Sequence, residues 1–531
     1  MAIRSIAHSP SSAGKRSLRH AAVALFCGGV AFALALSPLP CLSAADTLSL
    51  TPSGMARIGT VDERFQSYNV EMVEITGGRF WKPYRSRVDS APADSGSGIP
   101  GDADARLFQY RPPADLSDAR LRMLAAALGP AYVRVSGTWA NTTYFADQDN
   151  PPADLPMGFN GILTRAQWRN VVAFAKAVDA RIATSFAVSA GSRDAAGIWN
   201  PDRARRLIAY THAIEGKIAA VEFMNEPDLP AIGGAPAGYN ATAYGRDFRR
   251  FRKMVRSMAP ETLILGPGSI NEAAIAPQLL AVSGSGLDAL SYHYYGALSE
   301  RCGGKGTPDA ALSEDRLAGT ARALAFNEKL RDRYAAGKPI WLTETADAAC
   351  GGNPWAVSFL DAFRYLDQLG RLARGGVQVV MHNTLAASDY GLIDEDTLQP
   401  RPKYWAALLW RRLMGTTVLD AGVPARVGLR VYAHCQRGIQ GGVSLLVINS
   451  DQVASHELTL DGASLRYTLD ATDLNDTKVR LNGSTLSLDG RGALPDIKGN
   501  PIAAGVSTFA PGTITFLTIP TANNNACRQS A

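Results

Sequence analysis

From residue 61 to residue 415, short β-rich apolar runs alternate with amphipathic stretches of helical period. The runs are FQSYNVEM (65–72), AYVRVSG (131–137), RIATSFAVS (181–189), AAVEFMN (219–225), TLILGPG (262–268), ALSYHYY (289–295), PIWLTET (339–345) and VQVVMHN (377–383). Val, Ile, Tyr and Phe dominate them, as suits buried strands. Between most of them lie stretches such as RARRLIAYTHAI and GRDFRRFRKMVRSM, apolar at helical spacing. Eight such runs with intervening helices, over about 350 residues, predict an α/β fold, a (β/α)8 TIM barrel. A doubly wound open sheet is the alternative, but no GxGxxG follows a strand. Over 416–531 the helical period disappears. RVYAHC, VSLLVINS, HELTL, TLSLDG and GTITFLTIP alternate apolar and polar positions between Gly, Asn and Asp, which predicts a C-terminal antiparallel β-sandwich. The strand-like DTLSLTP within residues 46–60 is expected to join that sandwich.

Residues 1–45 follow neither pattern. A basic segment precedes the apolar run Ala21 to Leu36, and small residues follow at Ser43, Ala44 and Ala45. This reads as a cleaved export signal, giving a secreted or periplasmic protein. A membrane anchor is the rival, but the run of about 16 residues falls short of the ~20 a span needs. Pro40 stands where a lipoprotein would have a small residue before Cys41. No second long apolar run exists, so no stable membrane insertion is expected after cleavage. The formal charge of +6 owes much to Arg4, Lys15, Arg16 and Arg19; without them 50 basic side chains face 48 acidic ones. A nearly neutral body gives no reason to expect a nucleic-acid partner. Cys27 and Cys41 leave with the signal, and the four remaining cysteines permit two disulfides. Their spacing fits no zinc pattern, so no metal and no cofactor is expected.

Active sites of such barrels lie at the C-terminal strand ends. Strand one ends in Glu71, strand two in Gly137-Thr138-Trp139, and strand four in Asn225-Glu226-Pro227. Strand six ends in His293-Tyr294-Tyr295, strand seven in Thr343-Glu344-Thr345, and strand eight in His382-Asn383. Two carboxylates facing one cleft, ringed by hydrogen-bonding side chains, are what glycoside hydrolysis needs. Asn225 suits a hydrogen bond to a sugar 2-hydroxyl, and Tyr294 or Tyr295 is placed to orient Glu344. For His293 and His382, hydrogen bonding in the cleft competes with a metal site, and neither lies in an HExxH pattern. No GxSxG points to a serine hydrolase. RFWKPYRSR (79–87) follows strand one, either as a solvated loop or as a rim contact for an anionic ligand.

These residues resemble the retaining β-glucuronidases of glycoside hydrolase family 79, heparanases in particular, with a bacterial heparanase nearest in pattern. The resemblance rests on FLDAFRYLDQLGRLARGGVQVVMHN (359–383), YGLIDEDTLQPRPKYWAALLWRRLMGT (390–416), WLTETADAACGGNPW and the Asn-Glu-Pro of strand four. It implies Glu226 as acid/base and Glu344 as nucleophile, with net retention. It implies that Glu71, Thr138, Asn225, Asn383 and Tyr390 contact the sugar beside the scissile bond. The backbone at Cys350-Gly351-Gly352, with Tyr390, would hold the uronic carboxylate. Cys435 and Cys527 match the family's disulfide positions. Cys302 and Cys350 follow strands six and seven, neighbours on one barrel face, which allows a second bond.

Three departures stand out. Glu71 replaces a usual Asp, Ala349-Cys350 interrupts a Gly-rich stretch, and NPPADLPMGFNG replaces a Lys-rich heparin-binding segment. No excised linker is apparent, so one uncut chain, a monomer, is expected. The resemblance thus implies an exported, retaining endo-β-glucuronidase acting on heparan sulfate. An exo-β-glucuronidase and a non-catalytic glycan-binding protein are the alternatives.

Overall fold

A computed structural model describes residues 48–85, 104–424 and 428–528. The expected signal segment and Arg87 lie outside the described residues. Eight parallel strands form a closed barrel: Gln66–Glu71, Ala131–Ser136, Ala180–Thr184, Ile218–Glu222, Leu263–Ile270, Ala289–Tyr295, Ile340–Ala346 and Val379–His382. Strand eight pairs with strand one, Val380 beside Gln66, which closes the ring.

Successive strand residues alternate between the interior and the helix layer. Near the N-terminal ends the interior is apolar, filled by Tyr132, Ala183, Ala220, Leu265, Ala289, Trp341, Val379 and Met381. Two residues further along strands two, four and six stand Arg134, Glu222 and Ser291, all buried. The barrel therefore has an apolar floor under a charged upper storey.

Strands three and four are shorter than their sequence runs, ending at Thr184 and Glu222. Asn141 explains the difference. Its carbonyl accepts from the N–H of Val188 and Ser189, at 2.8 and 3.1 Å. Its side chain bonds both the N–H and the C=O of Asn225, each at 2.9 Å. The backbone leaving both strands is thus satisfied by one asparagine instead of by ladder pairing.

The outer helices follow the expected periodicity. In Ala241–Met258, capped by Asn240, the side chains of Tyr244, Phe248, Phe251 and Val255 are buried on one face. Helix Phe359–Arg374 is buried nearly all round. The extra cover comes from the second sheet system: Tyr432 donates to Asp367 at 2.7 Å, and its ring lies against Gly370.

That second system is antiparallel apart from one edge. A nine-stranded sheet includes Arg57–Thr60, Met414–Leu419, Leu429–Gln436, Val443–Asn449, Ser464–Asp470 and Thr513–Ile519. Leu48–Leu50 runs parallel to His456–Leu460 in a separate three-stranded sheet. A Cys435–Cys527 disulfide ties the chain end to this region across 92 residues. Closing a loop of that size stabilises the fold by about 2–4 kcal/mol.

Candidate active site

Glu226 lies four residues beyond strand four, with φ of +46°. Asn225, clasped by Asn141, fixes the chain just before it. Glu344 lies inside strand seven, where the register with strand six shifts between Tyr292 and His293. Tyr292 pairs with Leu342 and His293 with Glu344, so Thr343 is the extra residue of a bulge. Thr343 and Glu344 consequently both reach the interior. Thr343 donates to Glu222 at 2.9 Å, and Glu344 accepts from Arg134 and Tyr295.

Arg134 organises the interior. Its guanidinium meets Glu222 at 2.8 Å, Glu344 Oε2 at 2.8 Å and Asn225 Oδ1 at 2.8 Å. Only 1% of its side chain is exposed, so these charges are paired away from water. The other oxygen of Glu344 accepts from the Tyr295 hydroxyl at 2.5 Å. His293 Nδ1 lies 3.0 Å from Glu226 and 3.7 Å from Glu344 Oε2. An oxygen of Glu226 comes within 4.8 Å of one of Glu344. Glu226, His293 and Glu344 are also the kind of trio that could ligate a metal. Here Arg134 already supplies positive charge against Glu344, and each of the three has a protein partner.

The two carboxylates sit in unlike surroundings. Glu226 is pushed above the usual glutamate range by burial and by the charge of Glu344, against the opposing hydrogen bond from His293. Glu344 instead has a guanidinium and a phenol as direct donors. Burial lowers His293, but Glu344 and Glu226 outweigh it and the net shift is upward. Asp228, two residues past Glu226, is pushed up to about 7 by burial and by that neighbour.

The other expected residues divide. Asn383 donates to the Tyr295 and Tyr390 hydroxyls at 3.0 and 3.3 Å, joining both to the cluster. Glu71 caps helix Met72–Thr76. Among the described residues its Oε2 has no hydrogen-bond partner, and burial followed by the Glu344 charge raises its pKa strongly. Gly137 makes room for it, because a Cβ there would overlap the Glu71 carboxylate. Thr138 begins the turn Thr138–Thr142 and is half-buried. Gly351 and Gly352, both buried, lie in the loop after strand seven, the latter against Tyr390. Tyr294 is a correction: strand alternation sends its hydroxyl outward to Gly319 of helix Glu314–Tyr334, and Tyr295 alone bonds Glu344. His382 likewise leaves the cleft, bonding the Tyr390 carbonyl at 2.8 Å and packing on Tyr365. On the rim, Lys82 is half-buried and its carbonyl accepts from Arg301, while Arg85 is exposed.

Sequence reasoning missed Arg134, Glu222 and Asn141. A signal existed for the first two. AYVRVSG and AAVEFMN each carry one charge amid apolar strand residues, opposite in sign, and such charges persist inside a barrel only if paired.

A barrel with two carboxylates at its mouth is an arrangement that suits glycoside hydrolysis. Residues 121–370 match the family profile described as glycosyl hydrolase family 79, N-terminal domain. Bovine (Bos taurus) "Heparanase" is 27% identical over 488 residues, covering 80% of this chain and 87% of that protein. "Heparanase-like protein 1" of Arabidopsis thaliana is 31% identical over 265 residues, 48% of this chain; the chain spans about half, 47%, of that relative. Among solved structures, a 4-O-α-L-rhamnosyl-β-D-glucuronidase from Fusarium oxysporum superposes with TM-score 0.59 at 15% identity, covering 89% of this chain and 99% of that one. That last likeness concerns the fold. Over residues 121–370 the chain is thus similar to the N-terminal domain of glycoside hydrolase family 79, and over most of its length it is similar to heparanases.

Proposed function

We propose that the protein is an exported, retaining endo-β-glucuronidase that cleaves glucuronosyl linkages in heparan sulfate. The observation that carries the reading is the Glu226–Glu344 pair, one oxygen of each within 4.8 Å of the other and the two environments unlike. Carboxyl groups about 5–5.5 Å apart suit retention, whereas inversion needs about 6.5–9.5 Å for a water. Glu344, held by Arg134 and Tyr295, attacks the anomeric carbon. Glu226, whose pKa is raised first by burial, gives its proton to the leaving oxygen and later takes one from water. His293 orients Glu226, and Asn225 is oriented by Arg134.

The raised pKa of Glu226 has a kinetic sign. The acid must be protonated, so kcat/KM falls as pH rises through its pKa. On a glucuronide with a poor leaving group, activity should persist to higher pH than an ordinary glutamate, of pKa about 4.3, would allow. A decline already complete through that range would contradict the protonated role of Glu226.

Selection of a uronic acid must be local, because the chain's body carries almost no net charge. Backbone N–H groups of Gly351 and Gly352, with the Tyr390 hydroxyl, are the proposed donors to the carboxylate. Hydrogen bonds to a charged acceptor contribute about 1.5–3 kcal/mol each. Tyr390→Phe should therefore lower glucuronide turnover about tenfold or more relative to glucoside turnover. Equal losses on both substrates would make the tyrosine structural.

Digesting heparan sulfate and sizing the products tests the endo reading. Mid-size fragments support it. Free glucuronic acid alone means exo action, and binding without turnover means a glycan-binding protein.

A further inference from the structure

We propose that the Cys302–Cys350 disulfide is a positioning element for sugar-carboxylate recognition: it holds the Gly351-Gly352 peptides in their donating orientation, and opening it relaxes the preference for glucuronides. The proposal rests on the reading of the site given above.

Cys302 closes the short turn Glu300–Cys302 after strand six, and Cys350 lies six residues past Glu344 in the loop after strand seven. Cys350, Gly351 and Gly352 have φ of +64°, +80° and +89°. Glycine accepts that region freely, but a cysteine does so at a cost. Three consecutive residues there need external restraint. Each anchor acts on a carbonyl or at the loop's end. Ser388 Oγ donates to the Gly351 carbonyl at 3.0 Å, and Ser299 Oγ to the Gly352 carbonyl at 2.8 Å. Asn353 N–H donates to Asp347 at 3.0 Å. Within a trans peptide the C=O and the following N–H point opposite ways. Tying the Gly351 carbonyl to Ser388 therefore turns the Gly352 N–H away from Ser388. Among the described residues, neither the Gly351 nor the Gly352 N–H donates to a protein acceptor. Adjacent free N–H groups of this sort make an anion-binding concavity.

The turn carrying Cys302 is itself anchored beside Tyr390. Arg301 meets Asp389 at 2.9 Å and lies 3.8 Å from the Tyr84 ring centre, while the Tyr84 hydroxyl bonds Ser299 at 2.8 Å. One covalent link thus joins the loop carrying the two N–H groups to a turn whose Arg301 is ion-paired with Asp389, the residue before the phenol. Without it, two serine hydroxyls, the Asp347–Asn353 bond and the backbone pairing of Ala349 with Ala297 and Ser299 remain to hold three left-handed residues.

The two disulfides differ in access. Cys302 and Cys350 are partly exposed, whereas Cys435 and Cys527 are 3% and 1% exposed. A dithiol should open the first before the second. One thiolate attacks a disulfide sulfur and the other cysteine leaves as a thiolate. The second arm of the reagent then displaces the first cysteine. The products are two protein thiols and the cyclic oxidised dithiol.

The test compares kcat/KM for an aryl β-glucuronide with that for the matching glucoside, in the oxidised enzyme and in the Cys302→Ser/Cys350→Ser double variant. The ratio should fall about tenfold, mainly through KM, the equivalent of one hydrogen bond to a charged acceptor. In wild-type enzyme titrated with dithiothreitol, the ratio should fall as mass spectrometry shows this bond opening, and return on reoxidation. The Cys435→Ser/Cys527→Ser variant should keep the ratio. A ratio unchanged on opening overturns the proposal, and the titration decides the matter should the double variant not fold. An oxidised enzyme with no preference for glucuronide defeats the functional reading first, and this proposal with it.

Discussion

Glu344→Gln should reduce turnover of every glucuronide by about 10⁴-fold or more, because no other group replaces a lost nucleophile. Its two oxygens are held by Arg134 and Tyr295, and the carboxamide can keep an acceptor toward only one of these two donors. Glu226→Gln should behave differently. An activated aryl glucuronide departs with little help, whereas a poor leaving group should lose about 10²–10⁴-fold. Steady-state kinetics on the two substrate types separates the roles. Equal losses in both variants on both substrates would remove the assignment of separate acid and nucleophile.

Arg134→Met should lose activity and stability together. The change leaves Glu222 and Glu344 without their shared counter-charge, Glu222 being held below the ordinary range by Arg134, His293 and Ser291 against its burial. Breaking a buried pair by removing one partner costs about 3–5 kcal/mol. Activity should fall at least about 10³-fold, since Asn225 and Glu344 both lose a donor. A second change, Glu222→Gln, should recover much of the stability by removing the stranded charge, and little of the activity. Thermal unfolding read beside kcat makes the comparison. Recovery of both by the double variant would reduce Arg134 to a structural role.

Sequence periodicity carried the barrel because eight apolar runs alternate with amphipathic stretches, and side-chain alternation is a local property. Strand ends were less legible. Where strand four stops depends on Asn141, 84 residues away, which takes over the hydrogen bonds of Asn225. The inward turn of Glu344 follows from a bulge in its pairing with strand six, which single-strand alternation does not reveal. Tyr294 and Tyr295 were left as alternatives on paper, and strand alternation places them on opposite sides. The carboxylates themselves were readable because Asn-Glu-Pro and Thr-Glu-Thr each interrupt an apolar strand. Arg134 was hidden by its position in mid-strand, away from the ends where barrels do chemistry.

The most direct test of the account is covalent trapping. A mechanism-based glucuronide inactivator that forms a stable glycosyl-enzyme should inactivate the protein with one-to-one stoichiometry. Peptide mapping by mass spectrometry should then place the adduct on Glu344. An adduct on any other residue, or inactivation without a covalent sugar, would contradict the assignment of Glu344 as the nucleophile of a retaining β-glucuronidase.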